Sequence, residues 1–192
     1  MAKPRILAFA GSNRRGSYNR KLITIAVRGA EDAGATVTVL DLKDYPLPLM
    51  DEDLEREKGT PENAAKLKQL FIDHEGFLIA SPEYNSSITP LLKNTIDWVS
   101  RPAEGEPPLV AYKGKAAALM SASPGGLGGL RGLVHLRAIL SNIGVLVLPD
   151  QIAVSKAFEA FQEDGSLREE RRHQGIEGLG RSLASMLSRL SA

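Results

Sequence analysis

Three stretches of the chain carry side chains whose types and spacing can do chemistry. The first is Gly11-Ser12-Asn13-Arg14-Arg15-Gly16-Ser17-Tyr18-Asn19, which offers two serine hydroxyls, two amides and two guanidinium groups. It opens onto a helical pattern, and backbone N–H groups at a helix start favour anions. No Gly-Lys-Ser/Thr follows, so it is not a Walker loop, and Asn13 stands where a Gly-x-Gly-x-x-Gly fingerprint needs its second glycine. With so little glycine the backbone has less scope to hug a pyrophosphate, and a monophosphate wrapped by hydroxyls fits better. The same residues can instead form a polar turn in which Ser17 only caps the helix. The second stretch is Ser81-Pro82-Glu83-Tyr84-Asn85-Ser86-Ser87-Ile88-Thr89-Pro90. Pro82 restrains its backbone, and Tyr84, Asn85 and Ile88 are suited to lining a flat ring. Glu83 fits an ion pair or a solvated charge equally well. The third, Ser121 to Gly132, is glycine-rich, which allows either close approach to a ligand or plain flexibility.

Other chemistries are excluded. With no cysteine there is no disulfide, thiolate metal site or cysteine nucleophile. No Gly-x-Ser-x-Gly elbow occurs. His74, His135 and His173 are scattered without metal-ligand spacing, and each reads as a packing or surface residue.

The elements that must position these stretches follow from periodicity. Arg5 to Ala10 is an apolar run stopped by Gly11, as in a strand buried on both faces. Leu22, Ile23, Ala26, Val27 and Ala30 recur at helical spacing after Ser17, and Gly34 stands at a C-cap position. Ala35 to Asp41 is β-branched and reads as a second strand. Leu42 to Glu62, with Pro46, Pro48 and Pro61, predicts a long, mostly irregular loop. A helix over about 61–73, a strand over 76–80 and a helix starting at Pro90 follow. Then come a strand over 116–120, a helix over 130–143, a strand over 145–148 and a closing amphipathic helix over about 166–190. Alternation of this kind predicts an α/β fold with a parallel sheet covered by helices on both faces, in a single domain over 1–192. In such a sheet a ligand lies outside the carboxyl ends of the strands, where strand order reverses. The three chemically unusual stretches are the loops after the first, third and fourth strands.

The 192 residues carry 24 Lys plus Arg against 23 Asp plus Glu, a formal charge of +1. Balanced charge and few aromatics argue against a nucleic-acid partner. No apolar run approaches the roughly 18 residues of a membrane helix. The start of the sequence lacks a signal-peptide core, so no membrane insertion and a cytoplasmic location are expected.

Gly11-Ser12-x-Arg14-x-x-Ser17-x-Asn19 resembles the first-loop signature of the NADPH-dependent FMN reductase family. Ser81-Pro82-Glu83-Tyr84-Asn85, with Leu92-Lys93-Asn94-x-Ile96-Asp97-Trp98-x-Ser100-Arg101, resembles its second signature, and Gly128-Gly129-x-Arg131 its third loop. The matches run in order from residue 5 to about 140. The resemblance implies a flavodoxin-like three-layer sandwich with strand order 2-1-3-4-5 and FMN at the switch point. It places Ser12, Asn13, Arg14, Ser17, Tyr18 and Asn19 around the phosphate. Pro82, Glu83, Tyr84 and Asn85 would meet the isoalloxazine, with Ser121, Ala122 and Ser123 bordering its other side. It further implies a homodimer or homotetramer. Two positions depart from the family pattern: Thr89-Pro90 replaces a frequent Pro-Gly turn, and Ala122 stands where a hydroxyl residue is common.

The implied activity is an FMN-dependent NAD(P)H oxidoreductase. NADPH or NADH would give hydride to the flavin, which would reduce a small-molecule acceptor such as a quinone, azo compound, ferric chelate or chromate. The flavin would carry the chemistry, so no side chain is expected to be a nucleophile. Arg15, Arg20 and Arg131 are candidates for the NADPH 2′-phosphate or an anionic acceptor. Arg101 fits an ion pair or a subunit contact, and the 42–62 loop with the Trp98 helix is a candidate face for a neighbouring protomer. The competing reading is a flavodoxin-type electron carrier without NAD(P)H turnover.

Overall fold

The structure, a computed structural model, describes residues 3–190; of the expected domain, residues 1, 2, 191 and 192 lie outside the described residues. Strands β1 (Arg5–Ala10), β2 (Thr36–Leu40) and β3 (Gly76–Ala80) are linked by α1 (Tyr18–Asp32), α2 (Glu52–Lys58) and α3 (Glu62–Ile72). A small hairpin follows, β4 (Glu83–Tyr84) and β5 (Ser87–Ile88), then α4 (Pro90–Ser100), β6 (Ala116–Ala122) and α5 (Leu130–Asn142). The chain closes with β7 (Leu146–Val154), α6 (Ala157–Ala160) and α7 (Glu170–Leu190). The five long strands form one parallel sheet in the order β2-β1-β3-β6-β7. Counting those strands alone, this is the expected 2-1-3-4-5.

Strand alternation divides the core. Ile6, Ala8 and Ala10 of β1 face α1 and α7, while Leu7 and Phe9 face the layer of α3, α4 and α5. The α1/α7 side of the sheet is rich in alanine, with Ala8, Ala80, Ala116 and Ala118 all fully buried or nearly so. Small residues also let the two helices touch backbone to backbone. A Cβ on Gly29 would lie 2.0 Å from the Glu177 carbonyl oxygen, and one on Gly180 2.0 Å from that of Ala26. Only hydrogen fits at either crossing point.

The 42–62 segment is more ordered than its prolines suggest. A 3₁₀ turn spans Leu42–Asp44, and α2 forms with no buried residue, its N-terminus capped by the Asp51 carboxylate. A helix without an apolar face has no periodicity to betray it. The segment is fastened to its own chain. Asn94 donates to the Pro48 carbonyl at 2.8 Å and accepts from the Met50 N–H at 2.8 Å, and the Trp98 indole N–H donates to Pro48 at 2.8 Å. Arg101 pairs with Glu55 at 2.7 Å. Trp98 is fully buried within the chain, and the ion-pair reading of Arg101 is the one the geometry shows.

β7 is longer than expected. Ala117 pairs with Val147 but Leu119 pairs with Gln151, so β6 advances two residues while β7 advances four. The bulge holds Pro149, which lacks the N–H a regular ladder needs. The closing helix starts at Glu170 rather than near Ser166, whose backbone and hydroxyl instead bond Asp164 in a turn.

Candidate functional site

β1, β3 and β6 end side by side, with Ala10 beside Ala80 and Ala80 beside Met120. Their three following loops therefore meet and enclose a cleft of about 160 Å³. Ten of the expected site residues line it: Ser12, Arg14, Ser17, Tyr18 and Asn19, then Pro82, Glu83 and Tyr84, then Ala122 and Ser123. Pro124 of the third loop, outside the set of residues implied to contact the flavin, lines it as well.

The first loop ends at the start of α1, a fifteen-residue helix with no acidic residue in its first turn. The Ser17 hydroxyl makes no capping bond, against the simple-cap reading, and Ser17 lines the cleft although it is only 4% exposed. First-turn N–H groups have no carbonyl of their own helix to meet, and the loop supplies none to Tyr18, Asn19 or Arg20. An unused hydroxyl, unpaired N–H groups and an unneutralised positive helix end are groups that suit a small dianion chemically. Ser12 Oγ accepts the Arg14 N–H at 3.3 Å, and the Arg14 guanidinium folds back onto the Gly16 carbonyl at 2.8 Å and over the Tyr18 ring.

Several expected ligands are engaged elsewhere. The Asn19 amide is buried and spans to β6, donating to the Ala122 carbonyl at 2.9 Å and accepting its N–H at 3.0 Å. Ser121 does not line the cleft: it is fully buried, and its hydroxyl donates to the Ser81 carbonyl at 2.6 Å. It ties two strand ends together beneath the floor. Asn13 is exposed outside the lining, and Asn85, also exposed, sits at φ 49° in the hairpin turn. The Glu83 carboxylate accepts the Gly132 N–H at 2.9 Å and pairs with Arg131 at 3.1 Å. Arg20 pairs with Asp41 and donates to the Ser12 carbonyl at 3.3 Å. Of the three candidate cations for an anionic substrate, Arg20 and Arg131 are thus already paired, and Arg15 stands exposed without an ion-pair partner among the described residues.

The glycines of the third loop serve packing at its end. Gly129, at φ +93°, enters α5, and a Cβ there would lie 2.0 Å from the Ser121 hydroxyl. Thr89 joins the first loop to α4, donating to the Gly11 carbonyl at 2.9 Å while accepting the Leu92 N–H at 3.2 Å. No cluster of His, Asp or Glu with metal-binding geometry exists among the described residues.

A five-stranded parallel sheet in this order defines the flavodoxin-like fold, in which ligands lie at the carboxyl ends of the strands. The family model described as NADPH-dependent FMN reductase matches residues 4–159, and the chain belongs to that family. An NAD(P)H:quinone oxidoreductase of Solanum tuberosum is 34% identical over 191 residues, covering 97% of this chain and 94% of that one. An NAD(P)H-dependent FMN reductase of Pseudomonas aeruginosa is 33% identical over 187 residues, covering 97% and 96%. Among solved structures, the flavoenzyme NAD(P)H:(acceptor) oxidoreductase FerB of Paracoccus denitrificans superposes with a TM-score of 0.80 at 28% identity, covering 97% of this chain and 98% of that one. The chain is accordingly an FMN-dependent oxidoreductase of flavodoxin-like fold.

Proposed function

We propose that this cleft is where the chain holds FMN and that the enzyme uses NAD(P)H to reduce quinone-type acceptors. The carrying observation is Ser17: a nearly buried residue at the start of α1 that lines the cleft and whose hydroxyl caps nothing. Its hydroxyl, that of Ser12 and the first-turn N–H groups of α1 would hold the phosphate. Tyr84 and Asn85 on the hairpin and Ala122–Ser123 opposite would flank the ring. Bound there, FMN supplies the hydride and electron chemistry. The protein's own part is to seat the phosphate, fix the ring between two loops and leave one face open to nicotinamide and acceptor in turn. Arg15, exposed and without an ion-pair partner among the described residues, would be the cation free to attract a 2′-phosphate or an anionic acceptor.

Leu130 and Val134, one helical turn apart on α5, and Leu127 before them are 42%, 56% and 53% exposed. A patch of exposed apolar side chains suits an association surface, and we assign these three to a homodimer or homotetramer contact. No helix among the described residues is long and apolar enough to cross a membrane, and the enzyme is proposed to work in the cytoplasm.

The test of the phosphate seat is to titrate the flavin-free protein with FMN and with riboflavin. FMN should bind at least ~10-fold more tightly, since riboflavin lacks the group that forms charge-assisted hydrogen bonds. Equal affinities would remove the seat from the binding mode.

A further inference from the structure

One wall of the cleft is a hairpin that cannot stand alone. β4 and β5 are two residues each, joined by Asn85-Ser86 at φ 49° and 68°. A two-residue turn with positive φ at both centres suits asparagine followed by glycine. Serine at the second position leaves it strained. An isolated two-stranded hairpin is marginal even without such strain.

What holds the hairpin is α5. The Glu83 side chain is 10% exposed, and its two oxygens divide between the Gly132 N–H at 2.9 Å and the Arg131 guanidinium at 3.1 Å. Ser87 adds a second tie, its hydroxyl sharing a hydrogen bond with His135 Nδ1 at 2.9 Å. The surfaces touch closely: a Cβ on Gly132 would lie 3.2 Å from the Ser87 carbonyl oxygen and 3.5 Å from Glu83 Cβ. The dependence is mutual. α5 starts from Gly129, which has no side chain to cap it, and the Glu83 carboxylate supplies both an acceptor and a negative charge at its positive end.

We infer that Glu83 is a positioning residue for the flavin: its carboxylate fastens the β4–β5 hairpin to α5 and so fixes where Tyr84 and Asn85 meet the ring. This rests on the reading that the cleft holds FMN. The effect runs through the hairpin, because both carboxylate oxygens are committed to α5. Glu83→Ala removes both ties, Glu83→Gln keeps the shape and one neutral acceptor, and Arg131→Ala removes only the more exposed tie.

The experiment uses the full chain and three readouts. The first is amide hydrogen exchange over residues 84–88 in flavin-free protein. The second is FMN affinity, from quenching of flavin fluorescence. The third is the rate of anaerobic flavin reduction by NADPH with every protein saturated with FMN. Losing a hydrogen bond to a charged group predicts FMN binding weaker by ~10-fold or more in Glu83→Ala and ~3–10-fold in Glu83→Gln. Arg131→Ala should stay within ~3-fold, as an exposed ion pair contributes little. Hairpin exchange should quicken in both Glu83 variants, and reduction should slow even at saturating FMN, which a loss of global stability alone would not cause. Wild-type exchange, affinity and rate in Glu83→Gln would overturn the inference, including in the case that Glu83→Ala does not fold. If wild-type protein takes up no FMN, the proposed function fails, while unchanged hairpin exchange in Glu83→Gln would separately refute the tether.

Discussion

Replacing Asn19 with Asp changes one donor into an acceptor and leaves the shape of the side chain intact. Asn19 is 3% exposed and meets Ala122 twice, as donor at 2.9 Å and acceptor at 3.0 Å. An ionised Asp would face the Ala122 carbonyl with no hydrogen between them. Leaving a buried group unpaired costs about 1–3 kcal/mol, and more where charge is involved, so a loss of about 3 kcal/mol is expected at pH 8. The positive end of α1 opposes this, but by only about 0.3–1 kcal/mol in ordinary cases, so burial decides. Protonated, the acid regains its donor and both bonds. Its folded pKa therefore lies above the unfolded value of about 3.9. The folded state then binds more protons than the unfolded one, so stability is fully present below about pH 3.9 and is lost as pH rises through the folded value. Urea denaturation of flavin-free wild type and Asn19→Asp between pH 4 and 8 measures this. The gap between them should widen from under about 1 to about 3 kcal/mol. A gap that is absent, or equal at both ends of the range, would refute the double bond from Asn19 to Ala122.

Gly180→Ala should destabilise by about 1–3 kcal/mol because its methyl meets the Ala26 carbonyl oxygen at 2.0 Å. Gly178→Ala, in the same helix with open space around it, should stabilise by up to about 1 kcal/mol, and thermal melts of the pair compare them directly. Ser17→Asp should hold or raise the melting temperature of flavin-free protein, since an acidic N-cap suits the helix, yet weaken FMN binding by ~10-fold or more, since a carboxylate would occupy the anion seat. Burial pushes the Glu75 carboxyl up, but the hydrogen bonds and charge of Arg5 outweigh it and hold the group below its ordinary range. The stability it contributes is therefore present above the unfolded glutamate pKa and lost as pH falls through the folded value. Wild type should exceed Glu75→Gln at pH 7, and the difference should vanish in acid denaturation profiles.

The central strands β1, β3 and β6 were legible because they are buried on both faces and read as short apolar runs, while the more exposed edge strand β2 was legible from its β-branched residues. β7 beyond Leu148 was not, since Pro149, Asp150 and Gln151 at the bulge look like a loop. α2 buries nothing, and β4–β5 has two-residue strands with Asn-Ser in place of a glycine turn, so neither leaves a pattern. The site's location was legible from topology, since the unusual loops were those at the carboxyl ends of β1, β3 and β6. What individual side chains do there was not. Asn19 reaches 103 residues along the chain to Ala122, Glu83 reaches 49 to Gly132, and Ser121 reaches 40 to Ser81. Nothing local in sequence distinguishes a polar residue aimed at a ligand from one aimed at a distant strand end. Arg20 is the same case at shorter range, its guanidinium met by Asp41 at the end of β2.

The most direct measurement is the visible absorption spectrum of the purified protein loaded with FMN, before and after anaerobic addition of excess NADPH. Perturbed flavin bands that bleach within seconds are the predicted result. Flavin bands that stay oxidised would make the chain an electron carrier that takes no hydride from NADPH, and failure to retain FMN at all would contradict the assignment of the cleft.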